Sequence, residues 1–305
     1  MRHGIVLLPQ PKWAEARRYW SSAEGLGFDS AWTYDHLAWR SLAGEPWHAT
    51  IPTLTAAATV TTDIRLGTFV ASPNFRHPVP FAKELATLDD ISGGRFQLGV
   101  GSGGTGFDAF VLGQQELSPR ERHDRFVEFV DALDVLLRHE QGDASGGISF
   151  AGDWFTTVDA RMVGTPAQSP RLPLMIAADG PKGIRLAAER GDGWITLGPH
   201  VEDLDEWWSG VADRIHRLED REQESGRRVQ RLISLDAPRA SPWRASTPSR
   251  TRRAARRSSA STRSSSTGRG ARACTRATRR SCSRSRRGSD CTDATPGEPH
   301  PVEAS

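Results

Sequence analysis

Short apolar runs alternate with longer stretches of helical spacing along most of this chain, and residues 65–104 show the pattern most clearly. Arg65 to Ala71 is an apolar run that ends at a turn, which predicts a strand. Pro78 opens the next stretch, whose apolar residues share one face of a helix: Phe81, Leu85 and Leu88. Arg95 to Val100 is again continuously apolar, and a glycine-rich loop follows it. Because neither run alternates apolar with polar residues, both faces are expected to be covered, which predicts a parallel sheet.

The same alternation continues on both sides of this unit. It predicts seven strands: Gly4–Leu8, Ser30–Tyr34, Arg65–Ala71, Arg95–Val100, Leu174–Ala178, Gly193–Leu197 and Arg231–Leu235. The predicted helices are Trp13–Gly25, Ile51–Thr61, the helix that Pro78 opens, Pro119–His139, Pro181–Arg190 and Val201–Glu224. In Pro119–His139, the apolar side is predicted to hold Phe126, Val130, Leu133 and Leu137, and the other side is predicted to hold Arg, Glu and Asp. In Val201–Glu224, the residues predicted to face the core are Leu204, Trp208, Val211 and Ile215.

Strands that alternate with helices at this spacing are typical of an α/β protein, and seven of them favour a TIM (β/α)8 barrel with one strand missing. Residues 141–173 interrupt the pattern with Gly, Ser, Asp and Thr. They are predicted to form an insertion loop or a hairpin, with Ile148–Phe150 and Trp154–Phe155 as its strand pieces. The predicted barrel domain is residues 1–237.

The net charge of the chain changes sign at the end of that domain. Residues 238–305 contain 16 Arg, no Lys and 4 acidic residues, a net charge of +12. Residues 1–237 then hold 24 basic and 33 acidic residues, a net charge of −9. The tail also lacks Leu, Ile, Phe and Met, so it has the composition of a disordered segment that binds nucleic acid or another anionic surface.

A second interpretation of the tail is a shift of the reading frame. The tail begins where the eighth βα unit is due, and a GC-rich gene translated one nucleotide out of phase yields this vocabulary of Arg, Ser, Thr, Ala and Cys. Back-translation from Ser241 with GC-rich codons, shifted by one nucleotide, gives an amphipathic helix, a glycine stop and the β-rich string DEVVVH. These are the pieces that residues 1–237 lack, and we prefer this hypothesis to a genuine basic tail.

Several classes of protein are disfavoured by the sequence. No apolar run has the roughly 18 residues that a membrane span requires, and the N-terminal apolar run is too short for a secretory signal, so we expect a cytoplasmic protein. All three cysteines lie in the tail, at Cys274, Cys282 and Cys291, which excludes disulfide and thiol chemistry for residues 1–237. The spacing of His and acidic residues predicts no metal site.

Candidate chemistry lies at the ends of the predicted strands, where barrel enzymes bind their ligands. Asp35 and His36 close the second strand, and a histidine beside a carboxylate is suited to proton transfer. The alternative is a turn cap at Asp35 and simple packing of His36 against Trp39. Ser72 ends the third strand with a small polar group, although Ser-Pro-Asn is also an ordinary turn.

Two glycine-containing loops complete the candidate site. The loop after the fourth strand contains Ser102 and Gly103, where a ligand could approach the backbone closely. The loop after the fifth strand leads into a helix and holds Asp179, Gly180, Lys182 and Gly183. Backbone N–H groups and the positive end of the helix dipole would face a phosphate there, and Lys182 adds a positive charge.

Four motifs together resemble the bacterial luciferase-like monooxygenase family, which includes the reductases and dehydrogenases that use the deazaflavin F420. They are the Asp-His pair at 35–36, SPNFRHP at 72–78, LDxxSGGRFxLGVGSG at 88–103 and AADGPKGIRLAAERGDGWI at 177–195. The resemblance covers about residues 1–237. It implies a TIM barrel of the luciferase-like type that binds F420 or FMN, with F420 preferred, and a non-prolyl cis peptide at Phe69–Val70.

The resemblance also implies an activity and the residues that carry it. The cofactor would exchange hydride with a small-molecule substrate, with NAD(P)H, or with O2 in the case of FMN, and the intact protein would be a homodimer without specific nucleic-acid binding. His36 matches the proton donor. The residues that match cofactor contacts are Asp35, Ser72, Ser102 and Gly103, and those that match the phosphate loop are Asp179, Gly180, Lys182 and Gly183.

The chain departs from the sugar-phosphate dehydrogenases of that family at two positions. Gly104 stands where a catalytic Glu is expected, and Phe107 stands where an Asn contacts the cofactor, so the substrate stays open. The aromatic residues near the strand ends favour an apolar or planar substrate, or a lid: Trp39, Trp47, Phe75 and Phe107. A non-catalytic flavin-binding barrel is the alternative function.

Overall fold

The computed structural model of the chain describes residues 1–104, 106–138, 146–164 and 166–235. The predicted tail at 238–305, with its two interpretations, lies outside the described residues, as does part of the predicted insertion. Among the described residues, no helix is both long enough and apolar enough to span a membrane. These residues also contain no cluster of His, Cys, Asp and Glu that could hold a metal ion.

All seven predicted strands are present, within one or a few residues of their predicted bounds, and two more form a hairpin. The strands are β1 (Gly4–Val6), β2 (Ser30–Thr33), β3 (Arg65–Thr68), β4 (Phe96–Gly101), β5 (Ile148–Ala151), β6 (Thr156–Ala160), β7 (Leu174–Ala177), β8 (Gly193–Thr196) and β9 (Gln230–Ile233). Seven of them form a sheet in the order β1-β2-β3-β4-β7-β8-β9. Every neighbouring pair in this sheet is parallel, as the unbroken apolar runs predict.

The inner strands β2, β3, β4, β7 and β8 are largely buried, and alternate residues point into two separate cores. On β7, Leu174 and Ile176 belong to the large core between sheet and helices, whereas Met175 belongs to a smaller core on the opposite face. The smaller core contains Trp32, Phe69, Met175 and Ile195. Side chains on the concave side of a parallel barrel pack in this way, so the sheet encloses a filled interior.

The helices follow the predicted positions, with one short helix that the sequence pattern does not predict. They are α1 (Trp13–Gly25), α2 (Thr50–Ala58), α3 (Pro78–Ile91), α4 (Phe107–Val111), α5 (Pro119–Arg138), α6 (Pro181–Arg190) and α7 (Leu204–Ser225). The predicted apolar faces of α3 and α5 are buried. The face predicted for α7 is correct at Val211 and Ile215 and wrong at Leu204 and Trp208, which are exposed. Trp207 is buried in place of Trp208, because it donates its indole N–H to Leu197 O and packs against Trp208 edge-on.

The predicted insertion contains the antiparallel hairpin of β5 and β6. Glu128 of α5 holds it to the barrel, because its carboxylate accepts the backbone N–H groups of Asp153, Trp154 and Phe155. The Phe69–Val70 peptide bond after β3 is cis, as the family resemblance implies.

Candidate functional site

The carboxyl ends of neighbouring parallel strands meet at one edge of the sheet, and the candidate residues follow those ends. Asp35 and His36 come after β2, Ser72 comes after β3, and Ser102 and Gly103 come after β4. The phosphate-type loop follows β7, which is the neighbour of β4 in the sheet. Sequence order and sheet order therefore assemble these loops at the same edge, where ligands bind in parallel α/β folds.

His36 is held by a carboxylate that the sequence pattern does not single out. Its Nδ1 lies 2.7 Å from Oδ2 of Asp108, a fully buried residue of α4, and the imidazole itself keeps 14% of its surface exposed. The other carboxylate oxygen of Asp108 accepts the backbone N–H of Leu37 at 2.7 Å. Two bonds fix the carboxylate, so it fixes the imidazole in turn and leaves Nε2 for proton exchange.

An aromatic wall borders His36. The rings of Tyr34 and Trp39 stack with centroids 5.4 Å apart, and Trp47 stacks at 6.4 Å from each of them. The centroid of Trp39 lies 4.9 Å from that of His36. The indole Nε1 of Trp47 is buried without a hydrogen-bond partner among the described residues.

The predicted aromatic cluster is therefore only half correct. Trp39 and Trp47 come together, but Phe75 lies elsewhere, under the guanidinium of Arg76 at 4.7 Å. Phe107 lies on α4 beside Phe110, with ring centroids 6.5 Å apart.

Asp35 is committed to an ion pair. Its carboxylate is 1% exposed and receives two bonds from Arg76, at 2.7 Å from Nη2 and 3.2 Å from Nε. The same guanidinium also contacts Glu84 of α3 at 2.9 Å. The pair thus ties the loop after β2 to the loop after β3, and it positions His36 next to it.

The turn after β3 and the glycine loop after β4 are joined by Asn74. Its side-chain amide donates to the carbonyl of Gly103 at 3.0 Å, and its backbone N–H lies 3.5 Å from Oγ of the buried Ser72. Gly103 has φ +71°, and a Cβ there would lie 2.4 Å from Nδ2 of Asn74. Both the positive φ and the close contact require glycine at this position.

Next to this joint, a cavity of about 350 Å³ opens between the glycine loop, α4 and α5. Gly104 forms part of its wall, and a Cβ added there would meet no atom within 4 Å. The half-buried hydroxyl of Ser102 has no hydrogen-bond partner among the described residues. The glycine loop therefore offers free polar and backbone groups on its open side.

The phosphate-type loop leads into α6 with its first N–H groups free. Ile184 N–H is the first to bond within the helix, to Gly180 O at 3.0 Å, so the N–H groups of Lys182 and Gly183 have no partner among the described residues. Lys182 is exposed, and its charge reaches α5: burial, and then Lys182, lowers the pKa of His123. Oδ1 of Asp179 accepts the hydroxyl of Thr196 and lies 3.3 Å from Nε of Arg214, so this carboxylate links the loop to β8 and α7.

The luciferase-like monooxygenase family model matches residues 1–296. This chain belongs to the luciferase-like monooxygenase family. The match extends beyond residues 1–237, to which the motifs are confined, and it confirms the predicted TIM-barrel fold together with the similarity to solved structures.

Its relatives within the luciferase-like family include F420-dependent enzymes. The F420-dependent hydroxymycolic acid dehydrogenase of Mycobacterium tuberculosis (strain ATCC 25618 / H37Rv) is 35% identical over 60% of this chain and 48% of that protein. The F420-dependent glucose-6-phosphate dehydrogenase of Amycolatopsis mediterranei (strain U-32) is 33% identical over 70% of this chain and 63% of that protein. The chain thus spans about half to two thirds of the length of these relatives.

A solved luciferase-like structure gives the same result. An F420-dependent secondary alcohol dehydrogenase in complex with an F420-acetone adduct superimposes with a TM-score of 0.64 and 26% identity, over 76% of this chain and 68% of that chain.

In this luciferase-like chain, direct contacts join some of the predicted residues and not others. Asp35, His36, Ser72 and Gly103 lie in loops that the bonds of Arg76, Asp108 and Asn74 connect. The phosphate-type loop shares the sheet edge but has no direct contact with that group in the described hydrogen bonds and ion pairs. Arg76 belongs to the SPNFRHP motif, which was the available signal for it, whereas nothing in the local pattern distinguishes Asp108.

Proposed function

We propose that this chain is an oxidoreductase or monooxygenase that transfers hydride between F420 or FMN and a small organic substrate. The supporting observation is the sheet edge at which an Asp-held histidine and an aromatic wall follow β2 and a free helix N-terminus follows β7. F420 is preferred over FMN because the relatives described above are named as F420-dependent. This activity is carried over from relatives of which the chain covers only about half to two thirds.

The residues present fit a flavin-like group with a phosphate tail. Ser102 and the backbone around Gly103 would contact the ring system, with Asp35 and Ser72 shaping the loops beneath it. Lys182 and the N–H groups of Lys182 and Gly183 would bind the phosphate, with Gly180 leaving the approach open and Asp179 fixing the loop to β8. When bound, F420 or FMN supplies the hydride acceptor, and FMN also supplies O2 activation with NAD(P)H as reductant.

His36 is the proposed proton carrier. Because Asp108 accepts the Nδ1 proton, the neutral imidazole keeps a lone pair on Nε2, where it can take a proton from a substrate hydroxyl. The carboxylate also stabilises the imidazolium that forms. Trp39 packs against the same imidazole and stacks with Trp47, so an apolar or planar substrate would lie against this aromatic wall.

A fluorescence titration of the 305-residue chain with F420 and with FMN tests the cofactor. We expect saturable F420 binding that weakens about tenfold in Lys182→Met, as for the loss of a charged hydrogen bond to phosphate. Lys83→Met, which removes the lysine of α3 that donates to the Val163 carbonyl, should bind F420 as the unaltered protein does. Absence of binding of either cofactor contradicts the proposal.

A second candidate function is a flavin-binding barrel without catalysis. Gly104 favours it, because it stands where the resemblance to the sugar-phosphate dehydrogenases of the family implies a catalytic glutamate. F420 binding without reduction of the cofactor by any of a panel of primary, secondary and aromatic alcohols would support this alternative. Loss of turnover in His36→Asn with unchanged F420 affinity would support the enzyme.

The remaining proposals concern the whole protein. We infer a cytoplasmic homodimer, tested by sedimentation of the purified chain and by fractionation of its host. We also propose that the segment 238–305 arises from a frame shift. Resequencing of the gene around the codon for Arg239 tests this, and peptides from the tail together with an unbroken reading frame would contradict it.

A further inference from the structure

The cavity beside the glycine loop has two arginines of α5 in its wall. Arg122 and Arg125 line it on one side, and the side chains of Phe107 and Phe110 line it on the side of α4. Asn74 closes the end that adjoins the turn after β3. The cavity volume of about 350 Å³ is that of a site for a small organic group.

Arg125 is a buried cation that forms no ion pair with any residue in the described part of the chain. Its residue is 8% exposed, and its Nη2 donates to Oδ1 of Asn74 at 2.5 Å. Its Nε is buried without any hydrogen-bond partner among the described residues. Burial, and then repulsion from the charge of Arg122, lowers the pKa of Arg125. A buried charge that is neither paired nor fully hydrogen-bonded costs free energy, so its retention requires a reason.

Arg122 adds a second charge to the same wall. The residue is half-buried, and its Nη1 donates to the carbonyl of Leu117 at 2.8 Å. The described ion pairs on α5 give Arg120 to Asp124 and Arg138 to Asp134, and none of them involves Arg122 or Arg125. Glu116 lies at the exposed rim of the cavity and forms no ion pair with either arginine in the described part of the chain. The wall is therefore cationic.

Two other arginines that are shielded from solvent pair with carboxylates of the chain. The buried side chain of Arg171 pairs with Asp134 and Asp192, and the half-buried Arg76 pairs with Asp35 and Glu84. Arg125 has no carboxylate partner among the described residues. The missing negative charge would come from a ligand in the adjacent cavity.

We propose that Arg122 and Arg125 form an oxyanion site, which binds a carboxylate or phosphate of an organic ligand whose apolar part lies against Phe107 and Phe110. A guanidinium presents its N–H donors in one plane, and their spacing matches that of two oxygens of a carboxylate or a phosphate. The oxyanion belongs either to the substrate or to the tail of the cofactor, since F420 carries a phosphodiester and glutamate carboxylates. The second assignment rests on the proposed function, and the first does not.

The direct test uses inorganic phosphate and acetate as probes on the 305-residue chain. Thermal unfolding is followed at increasing probe concentration and constant ionic strength in Lys182→Met, which removes the lysine of the α6 loop. We expect saturable stabilisation whose apparent affinity falls about tenfold or more in Arg125→Met and in Arg122→Met, as for a lost charged hydrogen bond. Arg120→Met is the matched control, because Arg120 is exposed on the same helix.

Cofactor-binding measurements distinguish whether the oxyanion belongs to the substrate or to the tail of F420. If the tail of F420 supplies the oxyanion, Arg125→Met weakens F420 but not the deazaflavin alcohol that lacks phosphate and glutamate. If the substrate supplies it, both deazaflavins bind unchanged while the phosphate or acetate response is lost. Failure of both deazaflavins to bind contradicts the proposed function alone, because the probe experiment does not involve them.

The result that overturns the site is a probe response in Arg122→Met and Arg125→Met equal to that of Arg120→Met. Far-UV circular dichroism checks the fold of each variant. If Arg125→Met does not fold, the half-buried Arg122 decides the question, since its removal leaves the buried contact between Arg125 and Asn74 in place.

Discussion

Arginines lie at both ends of the parallel sheet, and the two ends bond them in different ways. At the N-terminal end, Arg95 precedes β4 and donates five hydrogen bonds, to the carbonyls of Ser92, Ile64, Ala58 and Thr61 and to the hydroxyl of Thr61. Arg171 precedes β7 and bonds to two carboxylates there. Each guanidinium therefore links the ends of several helices and strands.

The acidic residues at the N-terminal end are equally engaged. Glu24 accepts the backbone N–H groups of Thr62, Asp63 and Ile64, at 2.6 to 2.9 Å from its Oε1. Burial alone would raise the pKa of Glu24, but these three bonds outweigh it and lower the pKa. Asp89 likewise accepts both the backbone N–H and the amide of Gln168.

The C-terminal end contains most of the polar atoms that are buried without a hydrogen bond in the described residues. They are Nε1 of Trp47, Nε of Arg125 and Nε of Arg214, with Oγ1 of Thr157 in the hairpin as the fourth. Arg214 Nε lies 3.3 Å from Asp179 but forms no hydrogen bond with it. The difference indicates that one end of the barrel is built for stability and the other for a ligand.

The largest expected effect is at the N-terminal end. Arg95→Met removes five hydrogen bonds and leaves four carbonyls to find water, which should lower the free energy of unfolding by about 3 kcal/mol. Urea denaturation measures it, and Arg65→Met, which alters an exposed arginine one strand away, should change it by less than about 0.5 kcal/mol. An equal loss of unfolding free energy in Arg95→Met and Arg65→Met would contradict the stabilising role of Arg95 at this end of the sheet.

The second prediction concerns the His36–Asp108 pair at the C-terminal end. In Asp108→Asn the amide donates to Nδ1, which moves the imidazole proton to Nε2 and removes the base. Turnover should fall about hundredfold with unchanged cofactor affinity, and nitrogen NMR of His36 should show the other tautomer. Asp124→Asn, on the exposed side of α5, is the control. Full activity with an altered tautomer would show that His36 carries no proton.

The third prediction is a pH dependence at the N-terminal end. Burial would raise the pKa of Asp134, but the bonds from Arg171 and Arg138 outweigh it and lower the pKa. A lowered pKa means that its contribution is present above the unfolded value near 4 and is lost as pH falls through the folded value. Asp134→Asn should therefore cost about 2 kcal/mol at pH 7 and progressively less below about pH 4.

The control for this pH dependence is Asp131→Asn. Asp131 pairs with Arg190 on the surface, where both side chains are nearly half exposed, so a change of about 0.5 kcal/mol is expected. Urea titrations at several pH values measure both variants. A cost of Asp134→Asn that does not decline with pH would assign the effect to packing.

The smallest expected effect is at Arg125. Arg125→Met should change the free energy of unfolding of the ligand-free chain by less than about 1 kcal/mol, because removal of an unpaired buried charge offsets the lost bond to Asn74. The same substitution costs about 3 kcal/mol at Arg95, so the pair sharpens the contrast between the ends. A loss at Arg125 as large as that at Arg95 would make Arg125 a structural clamp.

Much of the fold could be predicted from the sequence because the strands and helices depend on local spacing. Apolar runs gave all seven parallel strands, and helical spacing gave the buried faces of α3 and α5. On α7, Val211 and Ile215 were predicted correctly, but Trp208 was predicted in place of Trp207, because the two residues are equally apolar and only the bond from Trp207 to Leu197 distinguishes them. Arg125 was predicted on a polar, exposed face, although it is buried beside Asn74.

The sequence by itself determined where strands end, where glycine must stand and which loops share the ligand edge, since these features depend on neighbouring residues and on the order of parallel strands. Only the tertiary structure decided which polar groups meet. His36 and Asp108 are 72 residues apart, Asn74 and Arg125 are 51 apart, and Asp35 and Arg76 are 41 apart. No local pattern links such residues, because their contacts arise from the curvature of the sheet and the packing of helices against it.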